Sequence, residues 1–218
     1  MARLNVNPTR MELTRLKGGL RVASRGHKLL KDKNDELMKR FLELVRENRV
    51  LREKVESMMM KVHSGFLYAR AVMSAEALEE SLMFPKQRVA LDVSTKNVMS
   101  VNIPVLKFNT DDVDPSDIYP YGFATTSGEL DGAIRALSEM LPSLLRLAEI
   151  EKSAQLLAQE IEKTRRRVNA LEYVMIPNYE ETIKYIRMKL EENERGSLTR
   201  LMKVKDMMLK QAGYGQGS

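Results

Sequence analysis

The chain lacks cysteine and tryptophan, and aromatic residues make up only 6% of its 218 residues. The absence of cysteine excludes disulfides and thiolate metal sites and is typical of a cytosolic protein. No apolar run approaches the roughly 18 residues of a membrane span, and the N-terminus has no hydrophobic signal core. Layered sheets use more aromatic residues than long helices do. We therefore expect a cytosolic protein built mainly from long helices.

A seven-residue repeat of apolar positions runs from Leu13 to Val62. Twelve of its fifteen core positions are apolar, against about six expected at random from the composition. Such a repeat predicts a coiled coil. The core positions are Leu13, Leu16, Leu20, Ala23, His27, Leu30, Asn34, Leu37, Phe41, Leu44, Asn48, Leu51, Val55, Met58 and Val62.

A second, looser repeat lies near the C-terminus and can pair with the first. It runs through Leu130, Ala133, Leu137, Leu141, Leu144, Ile150, Ala154, Leu157, Ile161, Thr164, Val168, Leu171, Met175, Asn178, Thr182 and Tyr185, and then drifts to Ile186, Leu190, Leu201, Val204 and Met208. The predicted fold is mainly α: a long antiparallel two-helix coiled coil with a small β-hairpin and loop at the connecting end. The predicted segments are an N-terminal helix over 1–85, a hairpin and acidic loop over 86–126, a C-terminal helix over 127–210 and a disordered tail over 211–218.

The core positions of these repeats include one histidine and three asparagines: His27, Asn34, Asn48 and Asn178. A polar core residue disfavours alternative alignments at some cost in stability, so we expect these four to fix the register. A metal-binding role for His27 is much less favoured, because no carboxylate or cysteine lies at ligand spacing. Pro177 removes one backbone hydrogen bond within the second repeat and is expected to bend that helix.

Between the two repeats, apolar and polar residues alternate twice, as in a β-hairpin. The alternating residues are Val89, Leu91 and Val93, followed after Thr95-Lys96-Asn97 by Val101 and Ile103. The stretch Asn109–Thr126 contains four Asp and two Pro and predicts a loop.

The net charge of +6 is unevenly distributed along the chain. Residues 1–63 carry +8 and residues 184–218 carry +4, whereas 64–126 and 127–183 carry −3 each. If the helices are antiparallel, the two basic termini lie at the same end. No phosphate-binding loop or catalytic constellation is present, so the sequence predicts neither an enzyme nor a bound cofactor or metal.

Two terminal sequence blocks resemble those of a known family. The N-terminal block is Asn7-Pro8-Thr9-Arg10-Met11-Glu12-Leu13 with Arg25-Gly26-His27-Lys28-Leu29-Leu30-Lys31-Asp32-Lys33. The C-terminal block comprises Thr164-Arg165-Arg166-Arg167-Val168-Asn169-Ala170-Leu171-Glu172, Ile176-Pro177, Glu181-Thr182-Ile183-Lys184-Tyr185-Ile186 and Leu190-Glu191-Glu192-Asn193-Glu194-Arg195. Both resemble the D subunit of the V-type and archaeal-type rotary ATPases.

This resemblance implies a central rotor shaft with no catalysis of its own. Its implied partners are the nucleotide-binding head subunits A and B, the small F subunit and a funnel-shaped adaptor of the membrane rotor. The shaft would be cytoplasmic and peripheral to the membrane. The residues expected to contact the head are Arg10, Arg25, Lys28, Lys31, Lys33, Arg165, Arg166, Arg167, Arg195 and Arg200. The hairpin residues Val89, Leu91, Val93, Val101 and Ile103 are expected to modulate turnover by meeting the F subunit or the adaptor.

The alternative is a free-standing basic coiled coil that binds nucleic acid or an anionic membrane surface. The net charge permits it, but no aromatic-interleaved basic patch and no segregated amphipathic face stands out.

Overall fold

The computed structural model describes residues 4–86, 89–110, 118–122 and 126–214. Its elements are helices α1 (Arg10–Val72) and α2 (Ala75–Leu82), strands β1 (Val89–Val98) and β2 (Val101–Thr110), helix α3 (Gly128–Ala170), a π-helical turn (Leu171–Met175) and helix α4 (Ile176–Tyr214). The mainly α architecture with long N- and C-terminal helices and one antiparallel hairpin confirms the predicted fold class.

The chain divides into two compact units. The terminal unit contains Met1–Asn34 and Lys163–Ser218, and the central unit contains Asp35–Glu162.

In the terminal unit, α1 pairs antiparallel with the C-terminal helices. Leu16 forms a buried cluster with Ile183 and Ile186. Nearer the start of α1, Arg10 donates from Nη2 to Glu194 Oε1 at 2.5 Å. Further along, His27 Nε2 lies 3.3 Å from Glu172 Oε2. Contacts later on α1 therefore meet earlier residues on the returning chain, as an antiparallel pair requires.

The central unit repeats this arrangement between α1 and α3. Its buried clusters join Leu37 to Leu157 and Ile161, Val55 and Val62 to Met140, and Ala69 to Leu130 and Ile134. Arg146 on α3 also reaches Glu47 on α1, with 3.1 Å between Nη2 and Oε1. The order of these contacts is again antiparallel.

The predicted repeat on α1 is confirmed, since all fifteen of its positions are buried or half-buried. The returning repeat agrees less well. Leu137 and Met175 are each 43% exposed, and Leu201, Val204 and Met208 are exposed too.

Helix boundaries differ from the prediction in two places. α1 ends at Val72, and α2 starts afresh because Ser74 caps it, its Oγ accepting from the Ala77 N–H at 3.3 Å. α4 continues to Tyr214, so residues 211–214 are helical rather than a disordered tail. Residues 215–218 lie outside the described part, as do residues 111–117 of the predicted acidic loop.

The hairpin is present, but its turn is not at Thr95–Asn97, which lies within β1. The strands pair antiparallel up to Val98↔Val101, and Met99 and Ser100 form the turn with φ of 52° and 72°. Positive φ at both central residues gives a tight two-residue turn whose twist suits a hairpin. Val101 is buried with Leu37, and Met99 packs against the same cluster. The Asn97 Oδ1 accepts from the Ser100 N–H at 3.2 Å, so a local side-chain bond and the packing of the hairpin tip both hold the turn.

Candidate functional site

The ten basic residues predicted to meet the head all fall in the terminal unit. Nine are exposed and Lys33 is half-buried. They come from two distant parts of the sequence, which the pairing of α1 with the C-terminal helices brings into the same unit.

The terminal unit is far more basic than the chain as a whole. It holds 21 Lys and Arg against 9 Asp and Glu, a net charge of +12. The central unit holds 15 basic and 21 acidic residues, a net charge of −6. The two units therefore differ in the sign of their net charge, and each favours encounter with an oppositely charged surface.

One of the ten cations also has a structural role. Arg10 pairs with Glu194, joining the first turn of α1 to α4, although its side chain is 81% exposed. An exposed pair contributes little to stability. It does mark where the pairing ends, because α1 begins at Arg10 while α4 continues for some twenty residues beyond Glu194.

This continuation of α4 carries an exposed apolar surface that the sequence reasoning did not identify. Periodicity alone placed part of it in the core, but α1 starts too late to cover it. Basic residues, including Arg195 and Arg200, are interspersed with it. The exposed apolar residues are Leu198, Leu201, Met202, Val204, Met207, Met208 and Leu209.

The polar core residues adopt different environments. His27 is 20% exposed in its side chain and faces Glu172. Asn34 is half-buried, and its Oδ1 is buried with no hydrogen-bond partner. Asn48 lines a cavity of about 330 Å³ in the central unit. Asn178 is half-buried, and its backbone carbonyl accepts from Thr182 Oγ1 at 2.6 Å. Their role in fixing the register remains a prediction.

Pro177 lies one residue after the start of α4, directly behind the π-helical turn. In that turn the Ile176 N–H bonds to the Leu171 carbonyl, five residues back. Since proline has no N–H, the wider turn accommodates the break in the α-helical pattern. The predicted bend at Pro177 stays a prediction.

The five hairpin residues divide into two groups. Val89, Leu91 and Val93 are exposed on one face of β1, at 40%, 47% and 58%. Val101 is buried and Ile103 half-buried on the face that packs against α1 and α3. The first group can meet a partner, whereas the second holds the hairpin in place.

A further apolar cavity of about 340 Å³ lies in the central unit between α3 and the start of the hairpin. Sequence reasoning missed it because its walls come from separate segments; they include Leu82, Val89, Ile118, Ile134, Leu137 and Leu141. Nearby, Tyr121 donates to Asp131 Oδ1 at 2.6 Å. Burial, then this hydrogen bond, raises the pKa of Tyr121 well above its usual range.

Within the described residues, no three His, Asp or Glu side chains are grouped so as to hold a metal ion. None of the helices described is long and apolar enough to cross a membrane.

Comparison with known proteins identifies the family. The family of the ATP synthase D subunit matches residues 12–206. The chain is 74% identical over 212 residues to the V-type ATP synthase D subunit of Acetivibrio thermocellus, covering 97% of this chain and 96% of that protein. It is 69% identical to the protein of that name from Clostridioides difficile over 97% and 95% of the two chains. For Clostridium novyi the identity is 64%, over 97% and 98%. The chain therefore belongs to the ATP synthase D-subunit family, as its terminal sequence blocks predicted.

Proposed function

We propose that this chain transmits torque in a rotary V-type ATP synthase, between the nucleotide-binding head and the membrane ion-translocating ring. Its family places it in the central stalk, a structural and not a catalytic position. The observation that carries the proposal is the family match, which spans nearly the whole of both paired helices.

The terminal unit is proposed to be the part that contacts head subunits A and B. Its net charge of +12 and its exposed cations suit an acidic surround. The uncovered apolar part of α4 suits a partner that removes it from water. The F subunit and the adaptor are then proposed to bind elsewhere on the chain, which as part of the complex is peripheral to the membrane on its cytoplasmic side.

Torque transmission requires that the two helices do not slide on one another. The buried clusters at Leu37, Leu16 and Val62 interlock α1 with the returning helices along both units. Sliding by one residue would expose these side chains, each worth about 1.5–3 kcal/mol of burial. A packed helix pair therefore resists slippage better than a single helix.

The cationic contact can be tested by neutralising Arg165, Arg166 and Arg167 together as glutamines. Association of the full chain with purified head subunits should slow about tenfold at low salt, and the difference should shrink as salt is added. A matched control neutralises three exposed cations of the central unit, Lys39, Arg46 and Lys54. Equal association rates for the two triple variants would contradict the assignment of these arginines.

The same mixture of full chain and purified head subunits distinguishes a rotor shaft from a free-standing basic coiled coil. The chain should co-elute with head subunits at physiological salt and should support ATP hydrolysis coupled to rotation of the assembled complex. Binding to duplex DNA or to anionic vesicles in preference to head subunits, lost as salt rises, would favour the free-standing basic coiled coil.

A second role, modulation of turnover, is proposed for the hairpin because three apolar residues on one face of β1 are exposed. Changing Leu91 and Val93 to serine leaves the buried contacts of Val101 intact. We expect unchanged assembly and an altered rate of ATP turnover by the complex. A control that changes exposed Leu82 to serine should leave turnover as it is. If the rate and the affinity for the F subunit and the adaptor both stay unchanged, the hairpin has no modulating role.

A further inference from the structure

The π-helical turn shifts the row of α4 side chains that faces α1. Up to the turn the row follows the predicted spacing, with Thr164 buried and Val168 and Leu171 half-buried. Continuing that spacing through an ordinary α-helix would bring Met175, Asn178, Thr182 and Tyr185 against α1.

After the turn, the row centred on α1 starts one residue later. The cluster around Leu16 contains Tyr179, Ile183, Ile186 and Leu190. Uninterrupted spacing would instead select Asn178, Thr182 and Tyr185. Each of these comes one residue before a member of the cluster. Met175, the first residue of the uninterrupted row, is 43% exposed.

Two residues of the uninterrupted row remain in the contact beside the new one. Thr182 is buried, and its Oγ1 accepts from the Leu4 N–H at 3.2 Å, in the segment that precedes α1. Tyr185 is half-buried at the edge of the Leu16 cluster. The apolar pair Ile183 and Ile186 is buried beside Thr182 and packs with Leu16.

The geometry of the turn accounts for a shift of this size. A π turn holds about one residue more than an α turn, and one residue of an α-helix corresponds to a rotation of about 100°. The bond from the Ile176 N–H to the Leu171 carbonyl is of this wider kind. The extra residue is taken up where side chains are already in solvent, since Tyr173 and Val174 are 69% and 55% exposed.

We propose that the turn Leu171–Met175 is a one-residue phase insert that exchanges the row of α4 side chains turned toward α1, so that an apolar row joins Thr182 in the contact. The exchange puts Tyr179, Ile183 and Ile186 where Asn178, Thr182 and Tyr185 would lie, which increases apolar burial against Leu16. Glu172, within the turn, faces His27 at 3.3 Å, so the insert is also held against α1. This inference does not depend on the proposed function.

A phase insert predicts an asymmetry between deletion and insertion at one place. Deleting Val174 should convert the turn to ordinary α-helix and leave Ile183 and Ile186 facing α1. Inserting one alanine after Val174 adds a second extra residue, which the turn cannot absorb, so the apolar row turns away from α1. The replacement Val174→Ala controls for loss of the side chain itself.

The melting temperature of the full chain tests this asymmetry. Val174→Ala should shift Tm by less than about 5 °C. The deletion leaves Pro177 in ordinary α-helix, which costs about 3 kcal/mol, so it should lower Tm by about 6–12 °C. The insertion turns several buried apolar side chains away from α1 and should lower Tm by more than about 15 °C. A deletion of Tyr173 is a second version of the same test. If both deletions destabilise the chain as much as the insertion does, the proposal is wrong.

Register can be read directly because the chain has no cysteine of its own. A Cβ built on Gly19 lies 3.5–3.6 Å from the Tyr179 ring. Thiols introduced at Gly19 and Tyr179 should be joined by a short bifunctional thiol reagent several-fold faster than thiols at Gly19 and Asn178. That preference should persist when Val174 is deleted and disappear when alanine is inserted. A reversed preference in the deletion variant would overturn the proposal even if the variant is stable.

Discussion

The helices of the central unit approach closely at Gly65, and replacing this glycine by alanine tests how close they are. A Cβ built on Gly65 would lie 3.0 Å from the Ala133 Cβ and 3.3 Å from the Ala133 Cα. Alanine in a helix is favoured over glycine by about 1 kcal/mol, but separating well-packed elements costs about 1–3 kcal/mol. We expect a net destabilisation of about 1 kcal/mol, which lowers Tm by about 2–4 °C.

The neighbouring Gly132 on α3 provides the matched control. A Cβ built there meets nothing within 4 Å. Gly132→Ala should therefore gain the helix preference without strain and raise Tm by about 2–4 °C. The two substitutions are chemically identical and differ in the sign of their effect, which thermal unfolding followed by circular dichroism can resolve.

A double-mutant cycle identifies the strain with its neighbour. Changing Ala133 to glycine removes its Cβ, the nearest atom to a Cβ at Gly65, so Gly65→Ala should cost less in that background. If Gly65→Ala raises Tm as much as Gly132→Ala does, or has the same effect with glycine at position 133, the helices are not in close contact at Gly65.

Two further substitutions test polar groups. Asn34→Leu removes a buried amide oxygen that has no partner and should raise Tm by about 2–6 °C; a fall in Tm would show that the amide is satisfied. Tyr121→Phe tests alkaline stability. Because folding raises the pKa of this phenol, its contribution is present below about pH 10, where an unfolded tyrosine is neutral, and is lost as pH rises through the higher folded pKa. Denaturant titrations should therefore show a smaller loss of stability above about pH 10 for Tyr121→Phe than for the parent chain, and equal slopes would contradict this.

The α1 repeat was predictable because burial selects apolar side chains at a fixed spacing over many turns, from Leu13 to Val62. The second repeat was less predictable. A one-residue phase shift at Leu171–Met175 looks, in sequence, like the gradual drift of a straight helix. Only backbone hydrogen bonds distinguish an abrupt shift from a slow one. The hairpin turn at Met99–Ser100 was missed because neither residue is typical of a two-residue turn. The bond from the Ser100 N–H to Asn97 Oδ1 and the packing near Leu37 hold it, and both are seen only in the folded chain.

The exposure of the cations proposed to contact the head follows from their charge, whereas their grouping does not. Arg165 and Lys28 were selected from charge and family resemblance, and their membership of one compact unit follows from the antiparallel pairing. The end of α4 could not be assigned from periodicity, because an apolar residue such as Leu201 has the same spacing whether a partner helix covers it or not. The starting residue of α1 determines whether a partner helix covers such a residue.

The continuation of α4 beyond Glu194 exposes apolar side chains on more than one side, and this indicates what kind of surface surrounds it. Leu198 and Met207 are 56% and 54% exposed, and nine residues of α-helix place them on opposite sides. A helix that lies on a membrane surface keeps one side polar. A helix that binds nucleic acid phosphates needs cations and makes no use of exposed apolar side chains. Apolar side chains on opposite sides are removed from water together only when the helix is enclosed. Together with the net charge of +12 in the terminal unit, this favours a protein surround with an apolar lining and acidic groups over either alternative.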